Sequence, residues 1–260
     1  ARVIRALSLR LRRMQVAHAR LVLDRIADRY PDMKLPDGIA NGGADDAFMW
    51  RGQEVTSDFV MYLSRVADLY GKLDPKSVTS ILEIGPGLGL STLAHVTLNP
   101  ALKVAVNVDI VPVGYISSRF LASIPSLDVI EYAAVREAER IAIAAPASGV
   151  RVYALPPWML TKVEGSVDLA LNAFSFQEME EDVVRAYAAD VRRVTRRAIM
   201  LLSRIEGHKA QAGGQQKPVT MAYLESLFEA DFPARTTLPG LWSDAYDENP
   251  ERAVLRSKTS

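Results

Sequence analysis

Ser80-Ile81-Leu82-Glu83-Ile84-Gly85-Pro86-Gly87-Leu88-Gly89-Leu90-Ser91 is the stretch on which the fold turns. An apolar run closes on Glu83 and Ile84, and glycine then recurs at 85, 87 and 89. The run reads as a buried strand. The glycines read as a tight turn whose bare backbone a ligand can approach, and Leu90 onward as a helix. Working outward, strand and helix alternate. Further strands are expected at 103–110, 150–154, 167–172 and 198–202, with helices at 91–98, 112–123, 131–145 and 182–197. Pro218 opens a last helix to about 230, and short strands at 234–238 and 252–257 complete a set of seven. This order predicts an α/β fold with a seven-stranded, mostly parallel sheet and helices on both faces. Ligand-binding residues then belong just beyond the carboxyl ends of the strands.

Upstream, residues 1–30 read as helix, ended at Tyr30-Pro31, and 31–53 as a long loop rich in Pro, Gly, Asn and Asp. Thr56, Ser57 and Asp58 offer caps for a helix with Phe59, Leu63, Val66 and Tyr70 on one face. We therefore divide the chain into an N-terminal helical extension and loop (1–57) and a main domain (58–260). The sequence opens at Ala1 rather than Met, as expected of a fragment or a trimmed chain.

The composition narrows the function classes. Apolar residues make up 49% of the 260, enough for a sizeable core. Lys+Arg and Asp+Glu are both 31, and this zero net charge argues against nucleic acid as a partner. The absence of cysteine excludes disulfides, thiolate metal sites and cysteine nucleophiles, and fits a cytoplasmic chain. No apolar run approaches the roughly 20 residues that span a bilayer, so no stable membrane insertion is expected. Arginines at 2, 5, 10, 12, 13, 20, 25 and 29 suit a membrane-surface or targeting helix. The interruptions at Asp24, Asp28 and Asp32 favour an ordinary helix packed on the domain, or on a second copy as a homodimer.

The glycine turn admits two cofactors. A dinucleotide fingerprint, Gly-x-Gly-x-x-Gly, would need glycine at 90, where Leu stands. The spacing found, Glu83-x-Gly85-x-Gly87-x-Gly89, resembles the first motif of the class I S-adenosylmethionine (SAM)-dependent methyltransferases, whose Rossmann-like fold agrees with the strand order above. SAM lacks a pyrophosphate and carries an ammonium group, for which an acid beside the turn is suited. Asp109, 24 residues after Gly85 at the end of the second strand, stands where a carboxylate grips ribose hydroxyls.

The fourth strand runs into Asn172-Ala173-Phe174-Ser175-Phe176-Gln177-Glu178-Met179. This resembles the Asn-x-x-Ser-x-Gln-Glu-Met signature of the sugar O-methyltransferase family, and the likeness covers roughly residues 45 to 210. The resemblance implies SAM as cofactor and methyl transfer to a hydroxyl of a sugar or glycan precursor. Other small-molecule acceptors (lipid, polyketide, amine), an NAD(P)-dependent oxidoreductase and a non-catalytic SAM-fold protein are the alternatives. On this reading Glu83, Gly85, Gly87, Gly89, Asp109 and Asn172 contact the cofactor, with Trp158 placed to flank the adenine. Ser175 and Gln177 face the acceptor.

A sugar hydroxyl needs its proton removed as it attacks, and a placed base contributes roughly 10²–10⁴-fold. Glu178 and His208 are the candidates, both just after strands. The acids at 178–182 could offer oxygen ligands to a cation, but they read better as the acidic start of a helix, and no metal is expected. Residues 211–217 read as a mobile loop near the acceptor side.

Overall fold

In the computed structural model, residues 2–42, 46–208, 217–238 and 250–258 are described. The elements follow in order as α1 (Arg2–Arg29), β1 (Ala47–Trp50), β2 (Gln53–Thr56), α2 (Ser57–Leu69), β3 (Ser80–Ile84), α3 (Leu90–Leu98), β4 (Val104–Val108), α4 (Val113–Ala122), β5 (Leu127–Ile130) and α5 (Tyr132–Val135). The second half holds β6 (Ile141–Ala142), β7 (Val150–Leu155), β8 (Val163–Glu164), β9 (Val167–Ala173), α6 (Glu181–Val194), β10 (Thr195–Arg204), α7 (Met221–Ser226), β11 (Ala234–Leu238) and β12 (Glu251–Ser257).

The main sheet has eight strands in the order β11-β12-β10-β9-β3-β4-β7-β5. Those from β10 to β5 run parallel, whereas β12 is antiparallel to both β10 and β11. The central strands β3 and β4 are buried at every position, as strands covered on both faces must be. Odd and even positions feed two cores. Ile81, Ala105 and Leu169 pack under α1, α2, α3 and α4, while Leu82, Val106 and Ala170 pack under α6 and α7. Chain order reverses between β3 and β9, so the crevice of the sheet opens above Ile84 and Ala173.

Three differences from the sequence-based expectation have local causes. The eighth strand, β5, was not expected because it is only half-buried; it is held at the sheet edge by Asp128, directly opposite Arg151 and 2.7 Å from its Nε. The helix expected over 131–145 is one short turn, α5, followed by β6, which pairs with β8. Its alanines favour helix, but tertiary pairing prevails: Lys162 Nζ takes the Ala138 carbonyl at 2.9 Å and Ile141 is buried. The loop expected over 31–53 contains the β1–β2 hairpin, and Pro218 stands before α7, whose cap is Thr220. Among the described residues no helix is long and apolar enough to cross a membrane.

At the sheet's opposite edge Asp168 is a staple. Its buried carboxylate accepts from Thr79 N (2.7 Å), Thr79 Oγ1 (2.9 Å), Ser80 N (3.1 Å) and Arg196 Nε (2.7 Å). These bonds outweigh the burial that pushes the carboxyl up, and hold it below its ordinary range.

Candidate active site

The turn after β3 lies where the sequence places it. Gly85 N donates to Val108 O at 2.8 Å, so the turn stays stitched to β4 while leaving the sheet. Gly85 has a φ of +71°, and a Cβ there would sit inside Ser175. Ser175 is thus the side chain that packs the turn from β9's end. Gly87, at φ +57°, has nothing within 4 Å of where its Cβ would stand, so its backbone faces open space. Gly89 starts α3, with Leu121 Cδ1 at 2.8 Å from the place of a Cβ. Glycine at 85 and 89 therefore serves close packing, and glycine at 87 keeps an approach open.

Asp109 holds the turn from the other side. Its Oδ2 accepts from Gly87 N at 3.0 Å and its Oδ1 from Ile110 N at 2.7 Å, which leaves each oxygen capacity for a second donor. Burial raises the Asp109 carboxyl, and these two bonds counter it in part. Asp109 lines a cavity of about 360 Å³ with Pro86, Asn107, Ser117, Tyr115, Tyr132 and Leu155 among its walls. The walls are apolar with a few polar groups, as in sites for flat, partly polar ligands. Trp158 is 56% exposed and does not line this cavity. It meets the edge of Tyr132, with ring centroids 5.9 Å apart, and so braces the wall rather than forming it.

Asn107, Ser117 and Tyr132 were not singled out from the sequence. Asn107 had a signal, since it shares a strand face with Asp109. Tyr132 had none, because its place beyond a strand end depends on β5.

Glu83 is fully buried below the turn, and its Oε2 has no hydrogen-bond partner. Burial pushes its carboxyl up to about 7, against a bond from Ser91 that lowers it. Behind the turn, between α2 and α3, His95 is buried too. Asn99 Nδ2 donates to Tyr70 Oη (3.1 Å), so the tyrosine proton turns to His95 Nδ1 (2.7 Å) and the imidazole is neutral. Burial pushes the His95 imidazole down to about 3.

These two shifts oppose each other. Between pH 3 and 6.5 folded His95 binds fewer protons than unfolded, so stability rises as pH rises. Between pH 4.5 and 7 folded Glu83 binds more, so stability rises as pH falls. From pH 6.5 to 4.5 the two slopes have opposite signs and offset each other. Chemical denaturation of the ligand-free protein should give a nearly level stability there and a steep loss below it, deepened by Asp168. Glu83→Gln should instead lose stability steadily as pH falls across that window; a level profile in the variant would contradict this balance.

The end of β9 carries the second cluster. Asn172 Nδ2 donates to Ile84 O at 3.0 Å and its Oδ1 accepts from Phe176 N at 3.2 Å. Both functional atoms of Asn172 thus tie β9 to β3 and shape the next turn. Phe174 is left-handed, with φ 65° and ψ −23°, an uncommon state for a bulky residue. The guanidinium of Arg65, from α2, lies over both the Phe174 ring (5.2 Å) and the Tyr62 ring (5.6 Å).

Gln177 was expected to face an acceptor; the structure places it inward and buried. Its Oε1 accepts from Ser203 Oγ and Arg204 N, both at 3.0 Å, and its Nε2 donates to Glu178 Oε1 at 3.3 Å. The amide orients Glu178 because its oxygen is committed to β10. Glu178 and His208, read separately from the sequence, come together: His208 Nδ1 is 3.8 Å from Glu178 Oε2. Both side chains are exposed to solvent at the sheet's carboxyl edge. Among the described residues no group of three or more His, Asp or Glu side chains is placed to hold a metal ion. The expected loop 211–217 lies, apart from Lys217, outside the described residues.

The glycine turn beside β3, the acid after β4 and the reversal of strand order at β3/β9 together decide the architecture. The fold is the Rossmann-like one of the class I methyltransferases. No family model matches the chain, and no curated protein matches it in sequence. Among solved structures, EvdMO1 superposes with a TM-score of 0.50 at 14% identity, over 90% of this chain and 47% of EvdMO1. This chain therefore spans about half the length of EvdMO1. The N-terminal domain of EvdMO1, in the presence of SAH and D-fucose, gives 0.49 at 14% identity, over 90% of this chain and 97% of that domain. Magnesium protoporphyrin IX methyltransferase from Synechocystis PCC 6803 with bound SAH gives 0.48 at 9%, over 78% and 84%. At such identities the likeness is one of fold.

Proposed function

We propose that this chain is a SAM-dependent methyltransferase that methylates a hydroxyl of a small molecule, and that the acceptor is a sugar or glycan precursor. The observation that carries the cofactor is the buried Glu83 carboxyl, with one oxygen unpartnered, beneath an open glycine turn. A fixed ammonium group is a fitting partner for such a group; a pyrophosphate is not. Glu83 and Gly87 would hold the amino-acid end of the cofactor, Asp109 the ribose hydroxyls, and the walls from Asn107 to Tyr132 the adenine. Ser175 would keep the turn at its distance from β9.

The bound cofactor supplies a methyl group already activated on a sulfonium. What remains for the protein is to align an oxygen with it and to take that oxygen's proton. His208, oriented by Glu178 through Nδ1, presents Nε2 as the proton acceptor. Gln177 is a positioning residue that fixes Glu178, and Arg65 holds the Phe174 turn that carries both. The sugar assignment rests on the resemblance of residues 172–179 to the sugar O-methyltransferase signature.

Calorimetric titration with SAM, with its demethylated product and with NAD tests the cofactor. SAM and its product are expected to bind in the micromolar range, each with one site per chain, and NAD to give no heat. Binding of NAD without SAM would turn the reading to an oxidoreductase.

A further inference from the structure

Arg65 is a guanidinium with too few oxygens around it. It stands on α2 with its side chain 19% exposed. The cation lies over the rings of Tyr62 (5.6 Å) and Phe174 (5.2 Å). Rings attract the charge but offer no oxygen to its five N–H donors. Among the described residues its one ionic partner is Glu251, with Nη2 and Oε2 3.9 Å apart. That is beyond hydrogen-bond range, whereas Arg196 and Arg151 meet their acids at 2.7 Å. Burial lowers the Arg65 guanidinium, and Glu251 counters this only in part. A mostly buried cation is thus left short of partners, a costly state that an added anion would relieve.

A second arginine shares this face. Along β10, Ala198, Met200 and Leu202 belong to the core under α2, and strand alternation puts Arg204 on the same side. Along β12, Leu255 and Ala253 belong to that core too, which places Glu251 there as well. Arg204 and Glu251 are register partners where β10 ends and β12 begins. Arg204 is half-buried, and among the described residues its side chain has no ion pair. Two arginines against one glutamate leave this corner positive.

The strand order sets where that charge acts. The strands run β12-β10-β9-β3-β4 here. Gly87 and Asp109 follow β3 and β4, while Phe174, Arg204 and Glu251 stand at the ends of β9, β10 and β12. The arginines therefore lie across β3 from Asp109, over the strands that also carry Glu178 and His208.

We propose that Arg65 and Arg204 form an oxyanion site for the acceptor, which is a small molecule bearing a carboxylate or a phosphate as well as its reacting hydroxyl. The acceptor's reaction rests on the methyl-transfer reading above; the anion site does not. Either group presents paired oxygens that an arginine fork grips through two bonds. Such a site selects against neutral sugars, because they leave both cations unanswered.

Calorimetric titration of the full chain, saturated with SAH, with inorganic phosphate should show one site with a Kd on the order of millimolar. Arg65→Gln and Arg204→Gln should each weaken it about ten-fold or more, the effect of losing a charge-assisted bond. Arg65→Lys keeps the charge without the fork and should fall between. Arg65 also holds the Phe174 ring, so Arg204→Gln, at a half-buried strand end, decides the matter if Arg65→Gln does not fold. D-glucuronate or D-glucose 6-phosphate should displace the phosphate, and whichever does so more tightly identifies the oxyanion; D-glucose should not displace it. No phosphate binding to wild type, equal binding in Arg204→Gln, or equal displacement by D-glucose would overturn the proposal. Phosphate binding to the free chain that SAH abolishes would give the arginines to the cofactor's own carboxylate, and overturn the acceptor assignment. Failure of SAH itself to bind would instead sink the methyl-transfer reading, while phosphate titration of the free chain would still decide the anion site.

Discussion

Asp109→Ala is expected to raise the dissociation constant for SAM by roughly 100-fold in calorimetric titration. Two effects add. A carboxylate accepting two ribose hydroxyls contributes on the order of 1.5–3 kcal/mol per bond to a charged acceptor, and 1.4 kcal/mol is ten-fold. The same side chain also fixes Gly87 N at 3.0 Å, so its loss loosens the turn. Asp109→Asn keeps an acceptor for Gly87 and should fall between wild type and alanine. The cavity side chains limit the damage, since the cavity walls are on separate elements (α4, β7 and the β5–α5 junction). A change below about three-fold in Asp109→Ala would remove Asp109 from the ribose site, and with it the placement of the cofactor along β4.

His208→Ala is expected to cut kcat by about 10²–10⁴-fold while leaving SAM affinity within about two-fold, the effect of losing a general base. Glu178→Gln should lower kcat by less, because the imidazole remains and loses only its orienting charge. The 3.8 Å between His208 Nδ1 and Glu178 Oε2 is an ion-pair distance rather than a hydrogen bond, and catalytic contacts of this kind often shorten when substrate is bound. Equal kcat in His208→Ala and wild type, with a large loss in Glu178→Gln, would make Glu178 the base by itself. No loss in either would mean that alignment alone carries the reaction.

The candidate site was legible wherever a glycine or polar residue sits next to a strand end in the sequence itself. Glu83, Gly85, Gly87 and Asp109 belong to β3, β4 and their turns, so an apolar run followed by a change of residue type announces them. Asn172 and Gln177 were legible as polar residues after β9, but not their direction. A side chain at a strand end can face ligand or scaffold, and the choice depends on which backbone groups lie across from it, here Ile84 O and Arg204 N. The region around the helix expected over 131–145 was misread for a related reason. Its alanines and glutamates favour helix locally, while its half-buried edge strand owes its existence to Arg151 and β7.

The sequence by itself determined the α/β alternation, the glycine turn and the acid that answers it, because strands buried on both faces leave runs of apolar residues that no polar segment can imitate. Only the tertiary structure decided that Glu178 and His208 form one pair and that Trp158 braces a wall it does not form. Each of these joins residues far apart in the chain, and the packing of helices on the two faces of the sheet sets those distances.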